Sequence, residues 1–328
     1  MKGTHFLTTS RAKTLSLATV FRMSDEEAET YFQGLRWADT DGAPACPACG
    51  GLDAYSFRRP TGALQFQCKA CKKQFSITSG TLFAAHKAPL RAYLACIAVA
   101  MNEVKGKSAL ALSRDLGMSY KAVWVLLHKV REAMAAEMKG RMVGGEGQVV
   151  ETDGAYFGGH VRPANLRKDR VDRRFRKNQN GKRKVVVIVR ERGGETLPGV
   201  FRSEAQALGF IKARVRKDTL VQADEATSWD ALHARFEMKR INHQEAYSFD
   251  GACTNWAESF FARMRRGEMG HNHHVAGPYL LRYAQEAAWR EDNRRVDNGS
   301  QVRRVATLAL ASGPSVDFCG YYQRHRQA

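Results

Sequence analysis

Four cysteines stand in two tight pairs, Cys46-Pro-Ala-Cys49 and Cys68-Lys-Ala-Cys71, with 18 residues between the pairs. Each pair puts two sulfurs on one side of a turn, and the stretch between is long enough to form a hairpin that brings the second pair back to the first. This is the spacing of a structural Zn2+ site with four thiolate ligands. A ribbon so small buries little apolar surface, so the metal would supply much of its folding free energy. Two disulfides are the competing use of the same residues. The remaining cysteines, Cys96, Cys253 and Cys319, are scattered singly. The N-terminus carries no long apolar core and no stretch approaches the roughly 20 apolar residues of a membrane span. A reducing cytoplasm is therefore the expected compartment.

A second set of residues with chemical potential is acidic. Asp153 lies on a strand, Asp224 ends a later strand, and Glu258 lies on a helix in Thr254-Asn255-Trp256-Ala257-Glu258. Carboxylates are hard oxygen ligands suited to Mg2+ or Mn2+. A pair of such ions can activate an attacking oxygen and stabilise a leaving one at a phosphodiester. Capping is the plainer reading of Asp224, which precedes a helix. Glu151 shares a strand face with Asp153 at spacing two and reads as a supporting or competing ligand.

The elements that must position these groups follow from patterning. Ser24-Asp-Glu-Glu27 is a capping box that opens a helix within 17–40. Ala54–Arg58 and Leu64–Cys68 are the ribbon strands. From Pro89 to Met138 the chain is helical, and within it Gly117 and Ser119 separate a short helix from a longer one. That is a helix-turn-helix, with Ser119, Tyr120, Lys121 and His128 or Lys129 offered to DNA. After Gly144-Gly-Glu-Gly147 the rhythm changes. Strands are expected at 149–157, 184–190, 197–202, 219–224 and 236–241, and helices at 204–215, 228–235, 255–266 and 278–293. This is α/β. The expected organisation is an N-terminal helical segment at 1–40, a zinc ribbon at 41–85, a helix-turn-helix domain at 86–142, an α/β domain at 148–298 and a basic tail at 299–328.

Charge points to a polyanion. The 328 residues hold 52 Lys and Arg against 33 Asp and Glu, a net charge of +19, in a chain of ordinary hydrophobic content (44%). Counterion release from phosphates would drive binding to such a surface. The excess is concentrated in 160–184, where Arg167, Lys168, Arg173, Arg174, Arg176 and Lys177 read as a basic arm that settles on a DNA backbone. A solvated loop is the plainer alternative.

Taken in order, these motifs resemble the bacterial insertion-sequence transposases of the DDE type that carry an N-terminal zinc ribbon. The resemblance rests on Leu35-Arg-Trp37, both cysteine pairs, Phe75-Ser-Ile-Thr-Ser-Gly80-Thr81, Ser108-Ala-Leu110-Ala-Leu112-Ser-Arg-Asp-Leu116, Glu151-Thr-Asp153-Gly-Ala-Tyr156-Phe157-Gly-Gly159, Asp224, Thr254-Asn-Trp-Ala-Glu258-Ser-Phe260 and Tyr283 to Arg294, and spans residues 20–295. It implies a multidomain α/β protein with a ribonuclease H-like mixed-sheet catalytic domain. It also implies a two-metal Mg2+ or Mn2+ site on Asp153, Asp224 and a third residue, either Glu258 or Asn255. Glu258 is favoured because a carboxylate holds a divalent ion better than an amide. The family usually has a lysine farther along that helix; Arg265 is its counterpart here, and Cys253 stands where a histidine is often found. The implied activity is nicking at terminal inverted repeats, then transfer of the freed 3′-OH into target DNA. Double-stranded DNA would be the partner of a homodimer or larger assembly in the nucleoid, with no membrane involved. A regulator that has lost the metal site, and a structure-specific nuclease of the same fold, are the alternatives.

Overall fold

The computed structural model describes residues 5–158, 164–172, 178, 181, 183–241 and 253–324. The chain folds into two compact units, one formed by Met1–Glu137 with Asn293–Ala328 and the other by Met138–Asp292. Among the described residues, no helix is long and apolar enough to cross a membrane.

In the first unit, α1 (Leu17–Arg22) and α2 (Asp25–Arg36) precede a three-stranded antiparallel ribbon, β1 (Ala54–Arg58), β2 (Leu64–Cys68) and β3 (Gln74–Phe75). The expected capping box is present: Ser24 Oγ accepts from Glu27 N, and Glu27 Oε2 accepts from Ser24 N. The ribbon and α2 are fused. Trp37 sits edge-on to Phe66 and Phe75, with ring centroids 5.6 and 6.3 Å away, and Arg36 donates to the carbonyls of Ser76, Ile77 and Ser79. A boundary at residue 40 therefore cuts through one aromatic core.

Helices α3 (Leu90–Asn102), α4 (Ala109–Leu116) and α5 (Tyr120–Glu137) follow. Gly117 takes the left-handed conformation (φ 62°), and Ser119 Oγ accepts from Ala122 N, so the turn forms where the sequence places it. The basic tail expected from residue 299 is not a tail. Residues Asn298–Ala311 form α9, capped by Asp297, with Val302, Val305, Ala306, Ala309 and Leu310 buried against α3 and α5. A short helix, Tyr321–Arg324, ends the described chain. The apolar stripe of α9 is interrupted by Arg303, Arg304 and small residues, which hid its period.

The second unit is built on a five-stranded mixed sheet: β4 (Val149–Phe157), β5 (Lys184–Glu191), β6 (Thr196–Phe201), β7 (Leu220–Asp224) and β8 (Glu237–Ile241). The spatial order is β6-β5-β4-β7-β8. The first three strands are antiparallel neighbours, and β7 and β8 run parallel to β4. This is the ribonuclease H-like sheet. Val185 to Val189 on β5 are fully buried, and each side chain so removed from water contributes about 1.5–3 kcal/mol. Helix α6 (Leu208–Arg214) follows β6, while α7 (Asn255–Gly267) packs on β4 and β5 and α8 (Leu280–Asp292) on β6. The helix expected at 228–235 is a 3₁₀ turn, Thr227–Leu232.

The burial of α9 yields the first test. Val305→Asp should destabilise the first unit by on the order of 3 kcal/mol, because it strands a charge in an apolar contact. Thermal melting followed by circular dichroism would measure it; a surface-like shift would mean that the helix is dispensable.

Candidate functional site

The parallel ladder between β4 and β7 pairs Val149 with Leu220, Val150 with Val221 and Glu151 with Gln222. The ladder ends there, and Asp153 and Asp224 each lie two residues beyond its last pair. Side chains two apart on a strand share a face. Asp153 and Asp224 thus lie on the face of Glu151 and Gln222, which is the face that meets the start of α7: Glu151 Oε2 accepts from Trp256 N (2.8 Å) and Ala257 N (3.0 Å). Glu258 is in the first turn of that helix.

The electrostatics agree with this placement. The carboxyl of Asp153 is pushed up to about 7, first by burial and then by the negative charges of Asp224, Glu204 and Glu258, against the N–H of Gly154, which holds it down. Asp153 Oδ1 accepts from Gly154 N at 2.7 Å, and Asp224 Oδ1 from Trp229 Nε1 at 2.7 Å. Each oxygen is thereby aimed by a neutral donor. The acids share one neighbourhood, yet they are not drawn into a tight cluster. Among the described residues only the four cysteines place their donor atoms all within 4.8 Å of one another. Carboxylate oxygens gathered in one neighbourhood are the donor type that Mg2+ or Mn2+ takes.

Glu204 was visible in the sequence only as a helix start. Its Cγ and Oε1 lie 2.9 Å from where a Cβ on Gly154 would sit, and its Oε2 accepts from Ser228 Oγ at 3.1 Å. Its own carboxyl is raised, chiefly by burial. The available signal was the glycine inside β4, which marks a close approach by another group. Asn255 is exposed as the first residue of α7, and Arg265 is exposed near its end, with its guanidinium carbon 5.8 Å from the Phe157 ring centroid.

The four cysteines meet as expected. Cys46 and Cys71 sulfurs are 3.6 Å apart, and Cys49 and Cys68 sulfurs 3.5 Å apart. Tetrahedral zinc with Zn–S bonds of about 2.3 Å needs sulfurs roughly 3.8 Å apart, so the donor set fits. Turn amides, that of Ala48 foremost, hold the Cys46 thiol down to about 7, and Cys68 is lowered by the amide of Cys71 foremost.

Of the residues offered to DNA, Ser119 is spent on the α5 cap and Tyr120 is 47% exposed. Lys121 lies over the Tyr322 ring at 5.3 Å. Lys129 is buried, with Nζ 3.4 Å from Ala84 O, and His128 is buried and stacked on Phe318. Positions 128 and 129 fall on the inward side of α5, where a DNA contact has no access. Arg167 and Lys168 are exposed in a short 3₁₀ turn. Arg173, Arg174, Arg176 and Lys177 lie outside the described residues.

Two family models match the chain. Residues 143–292 match the ISXO2-like transposase domain, and residues 23–74 match the transposase zinc-ribbon domain. The chain belongs to this family of insertion-sequence transposases. The first match spans nearly the whole of the second compact unit, and the second takes in α2 with the ribbon, as the Trp37 packing requires. The transposase is thus a DDE-type enzyme of the polynucleotidyl-transferase kind, whose family implies a divalent metal and DNA as partner. No curated protein matches the chain. Among solved structures, the crystal structure of the Mos1 strand transfer complex is similar at 13% identity, over 68% of this chain and 80% of that chain, with a TM-score of 0.24.

Two outcomes follow for the transposase. The purified chain should carry zinc, and Cys68→Ser should lose it and release the Trp37 side chain to water, read as a red shift of tryptophan emission; zinc-free protein with an unchanged ribbon would overturn the four-thiolate site. Asp153 bears on stability with pH. Its folded pKa lies above the ordinary 3.8, so the stability that it confers is fully present below about pH 4 and is lost as pH rises through 7. Asp153→Asn cannot ionise. Without added divalent ions it should melt a few degrees above the native protein at pH 8 and no higher at pH 4.

Proposed function

We propose that this transposase nicks DNA at the terminal inverted repeats of its element and joins the freed 3′-OH to target DNA, using Asp153, Asp224 and Glu258 to hold Mg2+ or Mn2+. The observation that carries this reading is the placement of Asp153 and Asp224 on adjacent parallel strands, on the face covered by the first turn of α7. When bound, a pair of such ions would activate the attacking oxygen and stabilise the leaving one. The protein's own groups prepare that chemistry. Trp229 and Gly154 aim one oxygen each of Asp224 and Asp153, and burial around Asp153 removes competing water.

Glu258 is the better third ligand, since its charge is felt at Asp153 whereas Asn255 is exposed at the tip of the helix. Asn255 then serves the DNA as a neutral donor. Arg265, braced on Phe157, contacts a phosphate as a planar fork. Sequence recognition falls to the ribbon and the α4–α5 pair, with Tyr120 and Lys121 at the exposed start of α5, while Arg167 and Lys168 add backbone contacts. Two ends joined in concert require two active sites, so a dimer or larger assembly forms on DNA.

Strand transfer with an oligonucleotide of the element's end and Mg2+ tests this reading. Asp153→Ala and Glu258→Ala should lose nicking and joining while retaining end binding, and Asn255→Ala should keep measurable joining. Hydrolysis without joining by the native chain would make it a nuclease. Loss in Asn255→Ala with activity kept in Glu258→Ala would exchange the two roles.

A further inference from the structure

Two residues before each strand acid, and on the same strand face, lies a second polar side chain. Glu151 precedes Asp153 on β4, and Gln222 precedes Asp224 on β7. Both are fully committed within the unit. Glu151 is completely buried; one oxygen accepts from the amides of Trp256 and Ala257, and the other from Arg192 Nε at 2.9 Å. Arg192 also donates to Gln222 Oε1 (2.6 Å) and to the carbonyl of Cys253 (3.2 Å), and Gln222 Oε1 accepts from Cys253 N (2.9 Å). From the neighbouring strand, Arg190 donates to Trp256 O at 2.8 Å.

Helix α7 begins without a cap of its own: Thr254 makes no side-chain bond to the first turn. The free amides of that turn are taken by a carboxylate from another element, and charge at a helix N-terminus adds to the bond. We infer that Glu151 is a positioning residue for the reaction: with Arg192 and Gln222 it clamps the start of α7 to β4 and β7, and so fixes where Glu258 stands relative to Asp153 and Asp224. It is not a metal ligand, since each of its oxygens already has a donor. The same two strands supply both the acids and the clamp. A one-residue slip of either strand would therefore displace both together.

The inference rests on the proposed metal site, and its test separates the two. Manganese(II) binding to the full-length chain, followed by electron paramagnetic resonance of the free ion, is compared between the native protein and Glu151→Gln, alongside hydrogen exchange at the amides of Trp256 and Ala257. A glutamine offers one acceptor where the carboxylate offers two. Manganese affinity should fall about 10–100-fold, the usual effect of losing an outer partner of a metal site, and exchange at 256 and 257 should quicken while the β5 amides stay protected. Unchanged affinity and exchange would overturn the positioning role. Quickened exchange with unchanged affinity would reduce Glu151 to a structural cap, and that too overturns it. Should Glu151→Gln not fold, Arg192→Ala, at a partly exposed position, must shift manganese affinity in the same direction; no shift sinks the idea. If the native chain binds no manganese, the metal reading itself fails, while the exchange data still report whether Glu151 holds the helix.

Discussion

The parallel pairing of β4 with β7 is the contact on which the catalytic unit depends. Parallel neighbours cannot be joined by a tight turn, and here the chain passes through β5, β6 and α6 before it returns at Leu220. That detour does two things. It builds the antiparallel half of the sheet, whose valine-rich centre supplies the apolar burial, and it returns a second aspartate on the strand next to the first. Burying Asp153 near other carboxylates works against stability, and its carboxyl is raised by burial first and by the charges of Asp224, Glu204 and Glu258 after it. The buried strands beside them offset that cost.

The first unit solves a different problem. Its ribbon has a small core, and it adds to the four sulfurs by packing Phe66 and Phe75 under Trp37 and tying Arg36 to the loop after β3. Metal, aromatic edge contacts and guanidinium–carbonyl bonds act on the same few residues. The helical part completes its core with α9 and with the aromatic contacts of Trp124, His128 and Phe318.

Much of this was legible in the sequence because the signals are local. The cysteine spacing, the capping box at Ser24, the Gly117 turn and the apolar run of β5 each declare themselves within a few residues, and all stand where expected. What stayed hidden depends on partners distant in the chain. Glu151 looked like a possible ligand; only the sheet register and the uncapped start of α7 reveal it as a clamp. Glu204 carried no motif, and its place beside Asp153 follows from β6 delivering it over Gly154. Lys129 read as a DNA contact because charge normally marks a solvent face, yet the helix turns it inward. The period of α9 was masked by arginines and alanines, so a core helix passed for a tail.

The order of the chain has a consequence for how the molecule matures. Residues 138–292 form a unit by themselves, inserted between the bulk of the first unit and the helix that finishes it. During synthesis the sheet with its acids can close as soon as its own residues emerge, whereas the partner of α3 and α5 arrives only after all of them. The second unit can thus close before the one that carries the ribbon and the α4–α5 turn, and a nascent chain interrupted in between holds its sheet and acids without a finished first unit.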